Sequence, residues 1–187
     1  MTKRWLLLLI SIPYLLFSTS VSAQGPTESS VSIAITPPEL YIATVQAPNF
    51  GTHYASSSSQ KISSESDLAI RITDTRETKG SWKLRYHFSV FEMVDGSTLG
   101  EAGRITIGKG QLYNSGSLLD SSDYESQASE NDFGADTELV SVQESGYSDY
   151  TYIVERQNIQ LSVSANTKEG EYTSTLKIIL ESSPDYS

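Results

Sequence analysis

The sequence predicts an all-β protein, an antiparallel β-sandwich or barrel of about seven to nine short strands with a long acidic surface loop. Three observations carry this expectation. Apolar residues recur with a period of two in several runs, no segment sustains a helical period, and turn-forming residues separate the runs.

The strongest run is Leu68 to Phe91. Leu68, Ile70 and Ile72 alternate with Ala69, Arg71 and Thr73, and Trp82, Leu84, Tyr86, Phe88 and Val90 share one face against Lys83, Arg85, His87 and Ser89. A one-residue slip would put Trp82 into water and charges into the core, so the register is strongly specified. Asp74 to Gly80 has the short polar side chains and glycine of a turn, and the two runs are predicted to form a hairpin.

Residues 1–23 hold Lys3 and Arg4, an apolar run from Trp5 to Phe17 and small residues ending Val21-Ser22-Ala23. This is the pattern of a secretory signal peptide; its apolar run is too short to span a bilayer. The exported chain is expected to begin at Gln24, with no direct membrane insertion after cleavage. No Cys follows the apolar run, so a lipid-attached N-terminus is not expected. A small exported domain without Cys must be held by its core alone, a condition more common in bacteria than in animals.

Thirteen basic residues stand against 23 acidic ones, a formal net charge of −10. Such a surface repels nucleic acid and anionic lipid.

Residues 24–49 read as an N-terminal lead-in with short strands, Val31 to Ile35 and Leu40 to Val45, broken by Pro37-Pro38. The Ser-rich run from Ser56 to Ser66 reads as a solvated loop or edge strand. After the predicted hairpin, Glu92 to Gly103 is turn-rich and Arg104 to Ile107 is a short strand. Leu112 to Asp136 carries six acids and no Lys or Arg, which predicts the long surface loop, one that need not be ordered. Its segment Asp120 to Glu125 lacks the ligand spacing and central glycine of a calcium loop, and no metal or cofactor is expected there or elsewhere. Strands resume at Glu138 to Val142 and Tyr147 to Val154. Ile159 to Ala165 and Tyr172 to Glu181, with Asn166 to Gly170 between them, are predicted to form a second hairpin.

Two stretches stand together: Thr73-Asp74-Thr75-Arg76 with Gly80-Ser81-Trp82-Lys83-Leu84, and Gly170-Glu171-Tyr172-Thr173-Ser174-Thr175-Leu176 closing on Leu180 and Pro184. In these the chain resembles the WxL domain of Gram-positive bacterial surface proteins. The resemblance begins near Phe50-Gly51-Thr52, making residues 50–187 a WxL-like β domain. Where the family usually carries a second Trp-x-Leu in the last strand, this chain has Ile178-Ile179-Leu180, and Glu77 stands where a glycine commonly follows the arginine. The resemblance implies non-covalent attachment to the cell wall through peptidoglycan or an associated wall polymer, without catalysis. It also implies membrane-anchored or other WxL-type surface proteins as partners.

The alternation places the motif residues Trp82, Leu84, Ile178 and Leu180 in the core, because an exposed sugar-stacking tryptophan would not need apolar neighbours on its own face. Lys83, Arg85 and His87, on the outward face, are the candidate ligand-binding residues; a plain solvated sheet face is the alternative. Asp74 and Arg76 are expected to pair or cap the turn. The eleven tyrosines suit sheets and contact surfaces equally. Catalysis finds little support: there is no thiol, no Gly-x-Ser-x-Gly elbow, and His53 and His87 have no zinc-ligand spacing. Two binding roles remain, a module that grips the wall itself and an assembly subunit that reaches it through an anchored partner.

Overall fold

The computed structural model describes residues 39–99, 103–144 and 146–182. The predicted signal peptide and the lead-in run Val31 to Ile35 lie outside them. Among the described residues there are thirteen strands: β1 (Leu40–Gln46), β2 (Gln60–Ser63), β3 (Leu68–Asp74), β4 (Trp82–Phe88), β5 (Arg104–Ile107), β6 (Gln111–Asn114), β7 (Ser117–Leu118), β8 (Tyr124–Ser126), β9 (Ser129–Asp132), β10 (Thr137–Val142), β11 (Asp149–Val154), β12 (Ile159–Val163) and β13 (Leu176–Ser182). A single 3-10 turn, Arg156–Asn158, precedes β12.

All pairings are antiparallel, and they build three sheets in the orders β1-β3-β11-β6-β7, β13-β4-β10-β8 and β2-β12-β5-β9. The fold is all-β, a sandwich of short strands. Leu68, Ile70 and Ile72 from β3 and Tyr150, Tyr152 and Val154 from β11 meet Trp82, Leu84, Tyr86 and Phe88 from β4 and Leu139, Val140 and Val142 from β10 in one buried core. Trp82 and Tyr150 touch edge to face across the sheets, with ring centroids 5.1 Å apart. The third sheet adds Ile105, Ile107 and Ile159 to the same core.

Neither predicted hairpin forms. Both edges of β3 are taken by β1 and β11, and both edges of β4 by β13 and β10, so Asp74 to Gly80 is a crossover between sheets. Likewise β12 pairs with β2 and β5, and β13 with β4. The period of two fixes which face of a strand is buried; it carries no information on which strand lies beside it. β4 also ends earlier than its pattern: Val90, expected on the buried face, is 42% exposed.

The acidic stretch is not one loop. The end of β6, together with β7, β8 and β9, gives it strands in all three sheets. At Ser115-Gly116, φ values of 46° and 84° reverse the chain between β6 and β7, with Asn114 opposite Ser117, a two-residue hairpin turn whose left-handed residues match the strand twist. In the Ser-rich run, β2 pairs among the described residues only with β12, at the edge of its sheet.

Candidate functional site

The alternation of β4 sends its motif residues inward and its basic residues outward. Trp82 is 2% exposed, and its Nε1 has no hydrogen-bond partner among the described residues. Leu84 is fully buried opposite Leu180, while Ile178 stands opposite Tyr86 and Ser182 opposite Trp82. Ile178 and Leu180 are half-buried, on a strand that has one neighbour, β4, among the described residues. Ile178 therefore lies four residue pairs along the strands from Trp82, with Leu84 and Leu180 between them.

On the outer face, Lys83, Arg85 and His87 form a row that supplies its own counter-ions. Lys83 Nζ lies 3.1 Å from Glu181 Oε2, Arg85 Nη1 3.4 Å from Glu181 Oε1, and His87 Nδ1 3.1 Å from Asp136 Oδ1. Arg85 also reaches Asp136, Nη2 to Oδ2 at 4.0 Å, and Glu138 stands opposite Arg85 in the β10 register. The hydrogen bond from Lys83, with a further one from Arg85, holds the Glu181 carboxyl below its ordinary range. The row is a balanced strip of donors and acceptors with little net positive field.

A second surface is assembled from segments far apart in the sequence. A groove of about 770 Å³ opens at the β2–β12 end of the third sheet. Leu161 and Val163 of β12 and Ile62 of β2 form its floor with Phe91, Leu99 and Phe50, so the apolar inner face of β12 runs out of the sealed core at Ile159 into an open cleft. Phe50 and Phe91 meet edge to face at 6.1 Å, and Phe91 and Phe133 lie tilted at 5.3 Å.

Both walls of the groove are tied down. On one side, the Asn49 carbonyl accepts from the Glu65 N–H at 2.7 Å and from Ser64 Oγ at 3.0 Å, the Asn49 N–H donates to Ser66 Oγ at 2.9 Å, and the Ser56 carbonyl accepts from the Asn166 N–H at 2.9 Å. On the other, Tyr172 OH donates to the Lys168 carbonyl at 2.9 Å, and Lys168 Nζ lies 2.6 Å from Asp95 Oδ2. That contact lowers the Asp95 carboxyl well below, and raises the Lys168 amine above, their ordinary values. Gly51, with φ of 67°, lets the first wall turn; a Cβ there would meet the Glu65 carboxylate. Tyr54 stands 96% exposed on the rim.

The groove brings together the segments beginning Phe50-Gly51 and Gly170-Glu171-Tyr172, while Gly80-Ser81-Trp82 leads into the other end of β4, where Trp82 stands opposite Ser182. A family model described as "WxL domain surface cell wall-binding" matches residues 21–184. The chain belongs to the WxL family. No curated protein and no solved structure matches it. Membership makes this small WxL protein a cell-surface protein of the wall-binding kind. No described helix is long and apolar enough to cross a membrane. No cluster of three or more His, Cys, Asp or Glu among the described residues is arranged to hold a metal ion.

Of the residues singled out in the sequence, β4 brings Lys83, Arg85 and His87 into one row and sets Trp82 and Leu84 behind it. The groove residues come from four distant segments. Phe50-Gly51 and Gly170-Glu171-Tyr172, both singled out in the sequence, line it, but nothing in the sequence placed them side by side.

Proposed function

We propose that this WxL protein is exported by a Gram-positive bacterium and holds itself to the wall, without catalysis, by binding the glycan of peptidoglycan along the Lys83, Arg85 and His87 strip. The observation that carries this reading is the self-neutralised row: two carboxylates, Glu181 and Asp136, already pair its cations. A polyanionic wall polymer would have to displace them and would meet a chain of net charge −10. An uncharged, N-acetylated glycan exchanges hydrogen bonds with such a strip without breaking its ion pairs.

The test is pelleting of the purified exported chain, Gln24 onward, with Gram-positive sacculi before and after teichoic acids and other secondary polymers are stripped. Retention on stripped sacculi, little changed between 50 and 300 mM salt and lost in Lys83→Ala/Arg85→Ala/His87→Ala, is the expected result. Retention only on unstripped sacculi moves the ligand to a wall polymer. No retention on either material sinks direct wall binding. The second reading, a subunit held at the surface through a membrane-anchored partner, is favoured by the groove, where half-buried Ile62 and Val163 lie beside the exposed Glu169 and Glu171.

A further inference from the structure

We infer that the groove between Asn49–Ser56 and Thr167–Tyr172 docks an extended segment of another surface protein, one with apolar side chains at alternate positions flanked by a Lys or Arg. This names a second surface, separate from the β4 strip, and does not depend on wall binding.

The floor decides the chemistry of the occupant. Half-buried Ile62 and Val163 are the aliphatic part of the floor that a ligand can reach, since Leu161 and Leu99 are buried, and sugar hydroxyls laid on that part would lose their water partners. Apolar side chains gain what a glycan would lose, on the order of 25 cal/mol for each Å² removed from water. Leu161 and Val163 also lie two positions apart on one strand, a repeat of about 6.6 Å, the spacing at which an extended segment presents every second side chain.

The rim decides its charge. Glu169 and Glu171 line one wall, exposed and without an ion-pair partner among the described residues, while the neighbouring Lys168 is already committed to Asp95. An acidic segment or an anionic polymer is repelled there, whereas a basic residue next to the apolar anchors finds two carboxylates. The walls are tied before any ligand arrives, by Asn49 to Ser64 and Ser66 on one side and by Lys168 to Asp95 on the other, so docking need not order them.

Phage-displayed random dodecapeptides, selected on the purified exported chain and resynthesised with a fluorescent label, provide the probe; affinity is read by fluorescence polarisation. The expected result is enrichment of sequences with apolar residues at i and i+2 beside Lys or Arg. Their binding should weaken tenfold or more in Glu169→Lys/Glu171→Lys and in Thr52→Trp, which narrows the groove from its exposed wall, and should be unchanged in Lys83→Ala. Failure to enrich any such sequence would overturn the inference, as would a loss smaller than tenfold in both groove variants. Displacement of the peptide by an N-acetylglucosamine tetramer would assign the groove to glycan instead. Sacculus retention by the same variants keeps this outcome distinct from that of the wall-binding test.

Discussion

The buried carboxylate of Asp74 is clamped by Arg76, two residues on, through Nε to Oδ1 at 2.9 Å and Nη2 to Oδ2 at 2.8 Å. The Arg76 N–H donates to the same Oδ1 at 3.1 Å, and Nη2 reaches the Gly80 carbonyl at 3.1 Å. One guanidinium therefore ties the end of β3 to the residue two before Trp82, and it fixes the chain as it leaves one sheet for the other. Arg76→Ala removes from a fully buried carboxylate the guanidinium that clamps it, a change that costs about 3–5 kcal/mol. Urea unfolding followed by tryptophan fluorescence measures it. A loss under about 1 kcal/mol, the range of exposed pairs, would show that solvent reaches Asp74.

The two halves of the WxL pattern should respond unequally. Trp82 is buried at the sheet interface against Tyr150, and Trp82→Ala should cost about 3–5 kcal/mol through the cavity it leaves. Ile178 is half-buried on an edge strand beside Tyr86, where a larger ring can lean into solvent. Ile178→Trp, which restores the family's usual residue, should cost less than a small-to-large change in a sealed core, about 1–3 kcal/mol. Equal and large losses in both variants would mean that β13 is packed as tightly as β4.

What could be read in the chain before its fold follows from the reach of each signal. Alternation is local, so the buried faces of Leu68 to Ile72, Trp82 to Phe88 and Ile159 to Leu161 were legible without knowing their neighbours. Pairing is tertiary: a turn-like Asp74 to Gly80 looks the same whether it closes a hairpin or crosses between sheets. The strands β7 and β8, of two and three residues, are too short to show any period, and they vanished into an acidic composition. The outward row of Lys83, Arg85 and His87 was visible in β4 alone. Its counter-ions Glu181 and Asp136 lie 96 and 49 residues away from their partners Arg85 and His87 and were not. The groove stayed hidden for the same reason.

Tyr152 should make the protein sensitive to alkali. Its hydroxyl donates to the Leu139 carbonyl at 3.1 Å, accepts from the Gly110 N–H at 3.1 Å and lies 2.9 Å from Ser126 Oγ, joining three strands and the β5–β6 turn. Burial, the largest influence, raises its pKa above the ordinary 10.0. A raised value means that the stabilisation is complete below the unfolded pKa and is lost as pH rises through the folded one, so the unfolding midpoint should fall above about pH 10. Tyr152→Phe should lower stability at neutral pH by about 1–3 kcal/mol, through the unpaired groups it leaves, and should flatten the alkaline fall. Gly110 is the companion test: a Cβ there would sit 2.5 Å from the Tyr152 ring and 2.7 Å from the Ile153 carbonyl oxygen, so Gly110→Ala should destabilise by about 1–3 kcal/mol. Parallel alkaline curves for the wild type and Tyr152→Phe would move the effect to another tyrosine.

At the acid end, the outer strip supplies the signal. Glu181 is held below its ordinary value of 4.5, first by the hydrogen bond from Lys83 and then by Arg85. A lowered carboxylate contributes stability that is present above the unfolded pKa and is lost as pH falls through the lower, folded one. The wild type should therefore exceed Glu181→Gln in unfolding midpoint at pH 6, and the gap should shrink from pH 4.5 downward until the two coincide. Because the pair is exposed, added salt should narrow the same gap at pH 6. A gap that persists at pH 2 would indicate that the substitution acts through the packing of β13 and not through the charge it removes.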